Sequence, residues 1–202
     1  MSIFQYDYMF KITLLGKFGA GKSSLIDRYI DNKFYDINLY NRGTDYRIKI
    51  FDIENHRIKL QIWDPQPGCR RYEKIPFYPE VLGAHGLIFN YDIADVTTFT
   101  YIKDIINKYK SIDKKMLDNV YKILVGNKCD KTDRCVSEKD GRNFAVENNM
   151  VFFETSSKDN INVHEIFEFM TKQILDKVNQ DQTYTKGLLL CNNKKKEKTF
   201  CK

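Results

Sequence analysis

Gly16-Lys17-Phe18-Gly19-Ala20-Gly21-Lys22-Ser23 is the stretch on which the reading of this chain turns. It fits the pattern G-x-x-x-x-G-K-[ST], whose spacing has a mechanical reason. Glycines let a loop wrap an anion with its backbone N–H groups, and the helix that follows points its positive dipole end at the same anion. Lys22 then reaches the outer phosphates of a nucleotide, and the Ser23 hydroxyl can ligate Mg²⁺. The competing reading is a glycine-rich turn that holds no ligand, so the neighbouring elements decide.

Before the loop, Phe10–Leu15 is a short apolar run, and after it Ser24–Asn32 has helical spacing, with Leu25, Ile26, Tyr29 and Ile30 apolar. The loop therefore stands between a strand and a helix. Further out, Tyr46–Ile53 and Arg57–Trp63 read as two strands joined by a turn at Glu54-Asn55, which makes them antiparallel. Gly86–Ile93, Lys122–Val125 and Met150–Phe153 read as buried strands, and Asp95–Lys110, Ser137–Asn149 and Val163–Val178 as helices. Strands alternating with helices predict a mostly parallel sheet covered on both faces. In such sheets ligands sit beyond the carboxyl ends of the strands, so the residues just after each strand carry the chemistry.

Asp64 ends the third strand, where a carboxylate beside the loop suits a Mg²⁺ site through water. A helix-capping aspartate is the other reading of that residue. After the fifth strand stands Asn127-Lys128-Cys129-Asp130, an N-K-x-D pattern. One carboxylate can accept two N–H bonds from the edge of guanine, which adenine cannot offer, while a lysine stem can lie over the purine ring. After the sixth strand comes Glu154-Thr155-Ser156-Ser157-Lys158, whose backbone can meet the base oxygen. Alone, N-K-x-D is a plausible turn. About 100 residues behind a phosphate loop, it selects guanine and argues against a P-loop kinase or an ATPase.

At 202 residues, the chain is long enough for one well-cored domain, and its 42% hydrophobic and 30% charged content is that of a globular protein. The formal net charge is +6, but Lys186–Lys202 holds six lysines and one glutamate, so the body is nearly neutral. That balance gives no sign of nucleic-acid binding. Cys69, Cys129, Cys135, Cys191 and Cys201 form no C-x-x-C pair, and no zinc or disulfide framework is readable. Met1 to Tyr8 lacks the long apolar core of a signal peptide, and no run reaches the roughly 18 apolar residues of a membrane span. A cytosolic protein is expected, with one domain over residues 1–180 and a disordered Lys-rich tail over 181–202.

From about Tyr6 to Val178 the chain resembles the Rab branch of the Ras superfamily. The resemblance is carried by Tyr6-Asp7-Tyr8-Met9-Phe10-Lys11, Gly43-Thr44-Asp45-Tyr46, Lys59-Leu60-Gln61-Ile62-Trp63, Arg71-Tyr72-Glu73-Lys74-Ile75 and Tyr91-Asp92-Ile93. It implies the P-loop NTPase fold, an α/β doubly wound, mostly parallel six-stranded sheet with one antiparallel strand and helices on both faces. It implies GTP or GDP and Mg²⁺ as ligands. Gly19, Ala20, Gly21, Lys22, Ser23, Ser24 and Gly68 would then face phosphate, with Ser23, Asp64 and a switch I residue at the metal. Phe34 would stand edge-on to the guanine, and Asn127, Lys128, Asp130, Ser156, Ser157 and Lys158 would hold it. Tyr46, Trp63 and Tyr78 resemble the aromatic trio through which Rabs present an effector surface, although core packing is the ordinary role of such aromatics. Exchange factors, GTPase-activating proteins and effectors are the implied partners, and vesicle trafficking the implied process.

Three departures from the family fall on the hydrolysis machinery. Alignment on Lys59–Trp63 puts Asn41 where switch I carries a Mg²⁺-binding threonine, with Thr44 the other candidate. Asp64-Pro65-Gln66-Pro67-Gly68 is one residue longer than D-x-x-G, which places Cys69 where the water-orienting glutamine belongs. A thiol is a weak hydrogen-bond partner and cannot replace a carboxamide. Phe18 fills a loop position that is small in most relatives. All four prolines, Pro65, Pro67, Pro76 and Pro79, crowd into the same switch II stretch, where each fixes φ and removes a donor. The expectation is a nucleotide-binding protein with weak intrinsic hydrolysis by Lys22, Gly68 and Cys69; the alternative is a pseudo-GTPase acting as a scaffold. In the tail, Lys194, Lys195, Lys196 and Lys198 suit anionic lipid on the cytoplasmic face of a membrane, and Cys201 or Cys191 is a lipidation candidate. No C-a-a-X box is present, since Thr199 stands at its cysteine position.

Overall fold

Eight-residue β2 (Tyr46–Ile53) alternates exposed and half-buried side chains, whereas every residue of β4 (Gly86–Asp92) is buried. That contrast sets their places, since an all-buried strand belongs inside a sheet with both faces covered and a half-exposed one at its edge. The computed structural model describes residues 6–35, 46–65, 81–112 and 117–180. Its remaining elements are β1 (Tyr8–Leu15), α1 (Lys22–Asp31), β3 (His56–Trp63), α2 (Val96–Ile112), β5 (Tyr121–Asn127), α3 (Glu138–Glu147), β6 (Val151–Thr155) and α4 (Val163–Gln180).

The six strands lie in the order β2-β3-β1-β4-β5-β6. All neighbours are parallel except β2 and β3, a hairpin turned by Glu54 and Asn55 at φ 49° and 64°. The expected six-stranded sheet with one antiparallel strand is the observed one. Strand β1 is central, and the chain leaves it first toward β2 and β3, then returns to its other side with β4. The loop after β1 thus opens at the point where the winding reverses, the ligand crevice of open α/β sheets.

Each face has its own core. On one, Leu25, Ile26 and Tyr29 of α1 and Val163, Ile166, Phe167, Met170, Ile174 and Leu175 of α4 cover Ile12, Leu14, Leu60 and Ile88. On the other, Phe99, Ile102, Ile106 and Tyr109 of α2 and Ala145 of α3 cover Leu87, Phe89, Tyr91 and Leu124. Tyr29 and Phe167 stack at 4.1 Å between ring centroids and join α1 to α4.

Some strand ends differ from the sequence expectation: β4 ends at Asp92 rather than Ile93, while two others run on. Strand β5 runs to Asn127 rather than Val125, and β6 to Thr155 rather than Phe153. Apolar runs mark only the greasy part of a strand, while pairing continues through Asp92↔Asn127 and Asn127↔Thr155. Helix α1 starts at Lys22 instead of Ser24, so Lys22 and Ser23 are its first turn.

Phe167→Ala removes a fully buried ring and should cost about 3–5 kcal/mol. Chemical denaturation followed by far-UV circular dichroism reads this directly. A loss below about 1 kcal/mol would mean that α4 does not depend on its stack with Tyr29.

Candidate functional site

The phosphate loop is held where it is by close backbone packing. A Cβ on Gly16 would lie 2.2 Å from the carbonyl oxygen of Asn90, so β4 passes where no side chain fits. Gly21 has φ +88°, and a Cβ there would meet Asn127 Nδ2 at 2.4 Å. Both features demand glycine. Gly21 is also the residue before α1, a helix with no side-chain cap and no acidic residue in its first turn. The orphan N–H groups and the positive dipole end of α1 are therefore matched by nothing in the helix's own first turn, which suits an anion.

Lys22 lies at that end, 5% exposed. Its Nζ donates to the carbonyls of Gly16 (3.0 Å) and Lys17 (3.4 Å). Burial lowers its pKa, and Asp64 opposes the shift. Ser23, next in the helix, donates its hydroxyl to Asp64 just past β3. Burial raises the Asp64 pKa, while Lys22 and the Ser23 hydrogen bond work the other way. A hydroxyl and a carboxylate in contact form a hard-oxygen pair, and such donors fit Mg²⁺ completed by phosphate and water.

The loop after β5 is tied to the same place. Asn127, the last residue of β5, donates from Nδ2 to the carbonyls of Ala20 (3.2 Å) and Gly21 (3.4 Å). Its Oδ1 accepts from Lys128 N (2.9 Å) and Thr155 Oγ1 (3.0 Å). Lys128 sits at φ 64° and sends its Nζ back to Gly19 O at 2.8 Å. Asp130 accepts from the Ser156 hydroxyl at 2.6 Å, which fixes the carboxylate against the loop after β6. Ser157 is buried and Lys158 exposed, and the carbonyls of both accept from Arg28 of α1, at 2.7 and 3.0 Å.

Thus Gly19, Ala20, Gly21, Lys22, Ser23, Asp64, Asn127, Lys128, Asp130, Ser156, Ser157 and Lys158 come together at one end of the sheet. Ser24 follows in the first turn of α1, and Phe34 lies half-buried just beyond that helix. Phe18 presents its ring at 49% exposure on the loop. Tyr46 and Trp63 stack across β2 and β3 at 4.9 Å. Asn41, Thr44, Gln66, Gly68, Cys69 and Tyr78, with the tail, lie outside the described residues.

Sequence reasoning missed three residues that build the site. Asn90 is fully buried and donates to Ala20 O at 2.7 Å. Its signal was available, since one amide in the apolar run Leu87–Tyr91 needs a partner. Arg28 and Asp92 gave no such signal, because charges near an element's end are ordinarily solvated.

The chain is similar in sequence to known proteins. A family model described as Ras family matches residues 11–176. The chain is 40% identical to Ras-related protein Rab-1 of Theileria parva over 179 residues, 87% of this chain and 79% of that one. It is 41% identical to GTP-binding protein Rab-3D of Rattus norvegicus over 178 residues, 87% of this chain and 78% of that one. GTP-binding protein YPT1 of Saccharomyces cerevisiae is 38% identical over 179 residues, 87% and 84% of the two chains.

The interlock of the two loops makes a prediction. Gly21→Ala forces a left-handed alanine and pushes Asn127 away, so guanine-nucleotide affinity should fall at least about tenfold. Equilibrium titration with a fluorescent GDP measures it, and an unchanged affinity would show that the loops move independently.

Proposed function

This chain belongs to the Ras family as a Rab-type small GTPase, and from that premise we propose that it is a guanine-nucleotide switch of membrane trafficking whose own GTP hydrolysis is slow. The observation that carries the nucleotide reading is the start of α1. Its uncapped first turn, the buried Lys22 and the Ser23–Asp64 pair converge on one point. Asp130, steadied by Ser156, faces the task of reading the base, and a carboxylate there accepts two N–H groups that only guanine presents.

Each residue then has a definable part. The N–H groups of Gly19 to Ser23 bind phosphate oxygens, and Lys22 supplies a charge whose attraction to phosphate is little screened in its buried place. Ser23 and Asp64 would hold Mg²⁺, Ser23 by direct ligation and Asp64 through water. When bound, that ion neutralises charge on the outer phosphates. Hydrolysis further needs a side chain that orients water. In the sequence that place falls to Cys69 in a loop one residue too long, with Asn41 in switch I and Phe18 at the loop. All three departures act against turnover. Exchange factors, GTPase-activating proteins and effectors would meet the switches and the aromatic surface of Tyr46, Trp63 and Tyr78. The exposed Tyr46, stacked on Trp63 at the sheet edge, supports that surface.

Among the described residues no helix is long and apolar enough to cross a membrane. Attachment would come from the Lys-rich tail together with a lipid on Cys201 or Cys191, since basic charge alone anchors weakly.

Purified protein with Mg²⁺ should carry guanine nucleotide and lose bound GTP measurably but more slowly than an ordinary Rab in single turnover. Hydrolysis at the ordinary rate would overturn the slow-switch reading. Absence of nucleotide, with no uptake on exchange, would replace it with a scaffold. Cys69→Gln alone should not restore the rate, because loop length is wrong as well. For the tail, Cys201→Ser should shift the protein from the membrane to the soluble fraction of fractionated cells. An equal soluble distribution of both forms would remove the anchor.

A further inference from the structure

Asp92 ends β4, directly opposite Asn127 in the strand register. Its side chain is 6% exposed and fully engaged. Oδ1 accepts from the N–H of Ala94 at 2.9 Å, which closes the turn leading into α2. Oδ2 takes Lys128 Nζ at 2.7 Å and Lys131 Nζ at 3.3 Å. Lys128 Nζ also donates to Gly19 O at 2.8 Å. One ammonium thus joins the loops that follow β1, β4 and β5.

We propose that Asp92 is a positioning residue for nucleotide retention: it anchors the head of Lys128 so that the lysine stem stays in place as one wall of the base site. This rests on the reading that Asn127–Asp130 holds guanine. The physical case is one of freedom and charge. A lysine has four side-chain rotors, and its ammonium is strongly hydrated, so an unanchored head leaves the site for water. The Gly19 carbonyl is a neutral acceptor. A carboxylate makes a hydrogen bond roughly twice as strong, and at 6% exposure it is little screened. Lys131 approaches the same oxygen from farther away and with 39% of its side chain exposed. It is the weaker partner, and it leaves Lys128 the principal load on Asp92. Neutralising Asp92 would leave two ammonium groups side by side with no counter-charge between them, which drives both outward.

A residue that only stabilised the fold would act on nucleotide release whatever stood at position 128. A positioning residue acts through Lys128 and falls silent when that lysine is gone. The test is a double-mutant cycle on the full chain, reading dissociation of a fluorescent GDP at fixed Mg²⁺. Asp92→Asn should speed release about tenfold in the wild-type background and less than about twofold in Lys128→Met. Equal acceleration in both backgrounds, or none in the first, overturns the proposal. Should Asp92→Asn fold poorly, Asp92→Ser keeps an oxygen for the Ala94 N–H while removing the charge, and the same two outcomes decide. Asp130→Ala separates this inference from the reading beneath it. If that variant loses its preference for GDP over ADP while Asp92→Asn changes nothing, only the Asp92 proposal falls. If Asp130→Ala keeps the preference, the base-loop reading fails and the Asp92 proposal falls with it.

Discussion

The carbonyl oxygen of Ala20 accepts two amide N–H groups, from Asn90 on β4 at 2.7 Å and from Asn127 on β5 at 3.2 Å. All three residues are buried. Unpaired, each of these polar groups would cost about 1–3 kcal/mol. Paired, they clamp a glycine-rich loop, which has little side-chain packing of its own, onto the centre of the sheet. The register of β1, β4 and β5 fixes where the amides lie, and the amides fix the loop. The start of α1, the reach of Lys22 and the contact of Ser23 with Asp64 all follow from that one placement.

Among the described residues, Lys22, Asp27 and Asp92 are the charged residues that are buried, and Lys22 and Asp92 border the site. Asp27 instead pairs with Arg47 at 3.3 Å and ties α1 to β2. Burying a lone ion costs several kcal/mol, so each is matched: Lys22 by carbonyls and Asp64, Asp92 by two lysines. The pairings of Lys22 and Asp92 join strand ends and loops at one end of the sheet. A site assembled in this way is preorganised for charge before any ligand arrives, which is the condition for tight phosphate binding.

The loops after β5 and β6 are held in the same way. Arg28 of α1 holds the carbonyls of Ser157 and Lys158, and Ser156 holds Asp130. The helix that follows the phosphate loop therefore also shapes the loop after β6. The loops after β1, β5 and β6 are joined through Arg28 of α1 on one side and through Asn127 on the other.

Much of this was legible in the sequence, because the strongest signals are local. The spacing of Gly16, Gly21, Lys22 and Ser23, the N-K-x-D pattern and the alternation of strands with helices each follow from chemistry over a few residues. They gave the sheet, its single antiparallel strand and most of the residues that meet at one end of it. Composition and periodicity could not show which polar residues serve the site from a distance. Asn90 stands 70 positions from its acceptor and Arg28 stands 129 and 130 from its own. Such partners meet only when strand order brings remote segments together. For the same reason Asn127 and Thr155 read as loop residues yet lie in strands, where pairing continues past the end of the apolar run. The sequence by itself determined the kind of ligand this chain is built for. Only the tertiary structure decided which side chains hold the loops that hold it, because donors and acceptors this far apart in sequence meet only when strand register and helix packing bring them together.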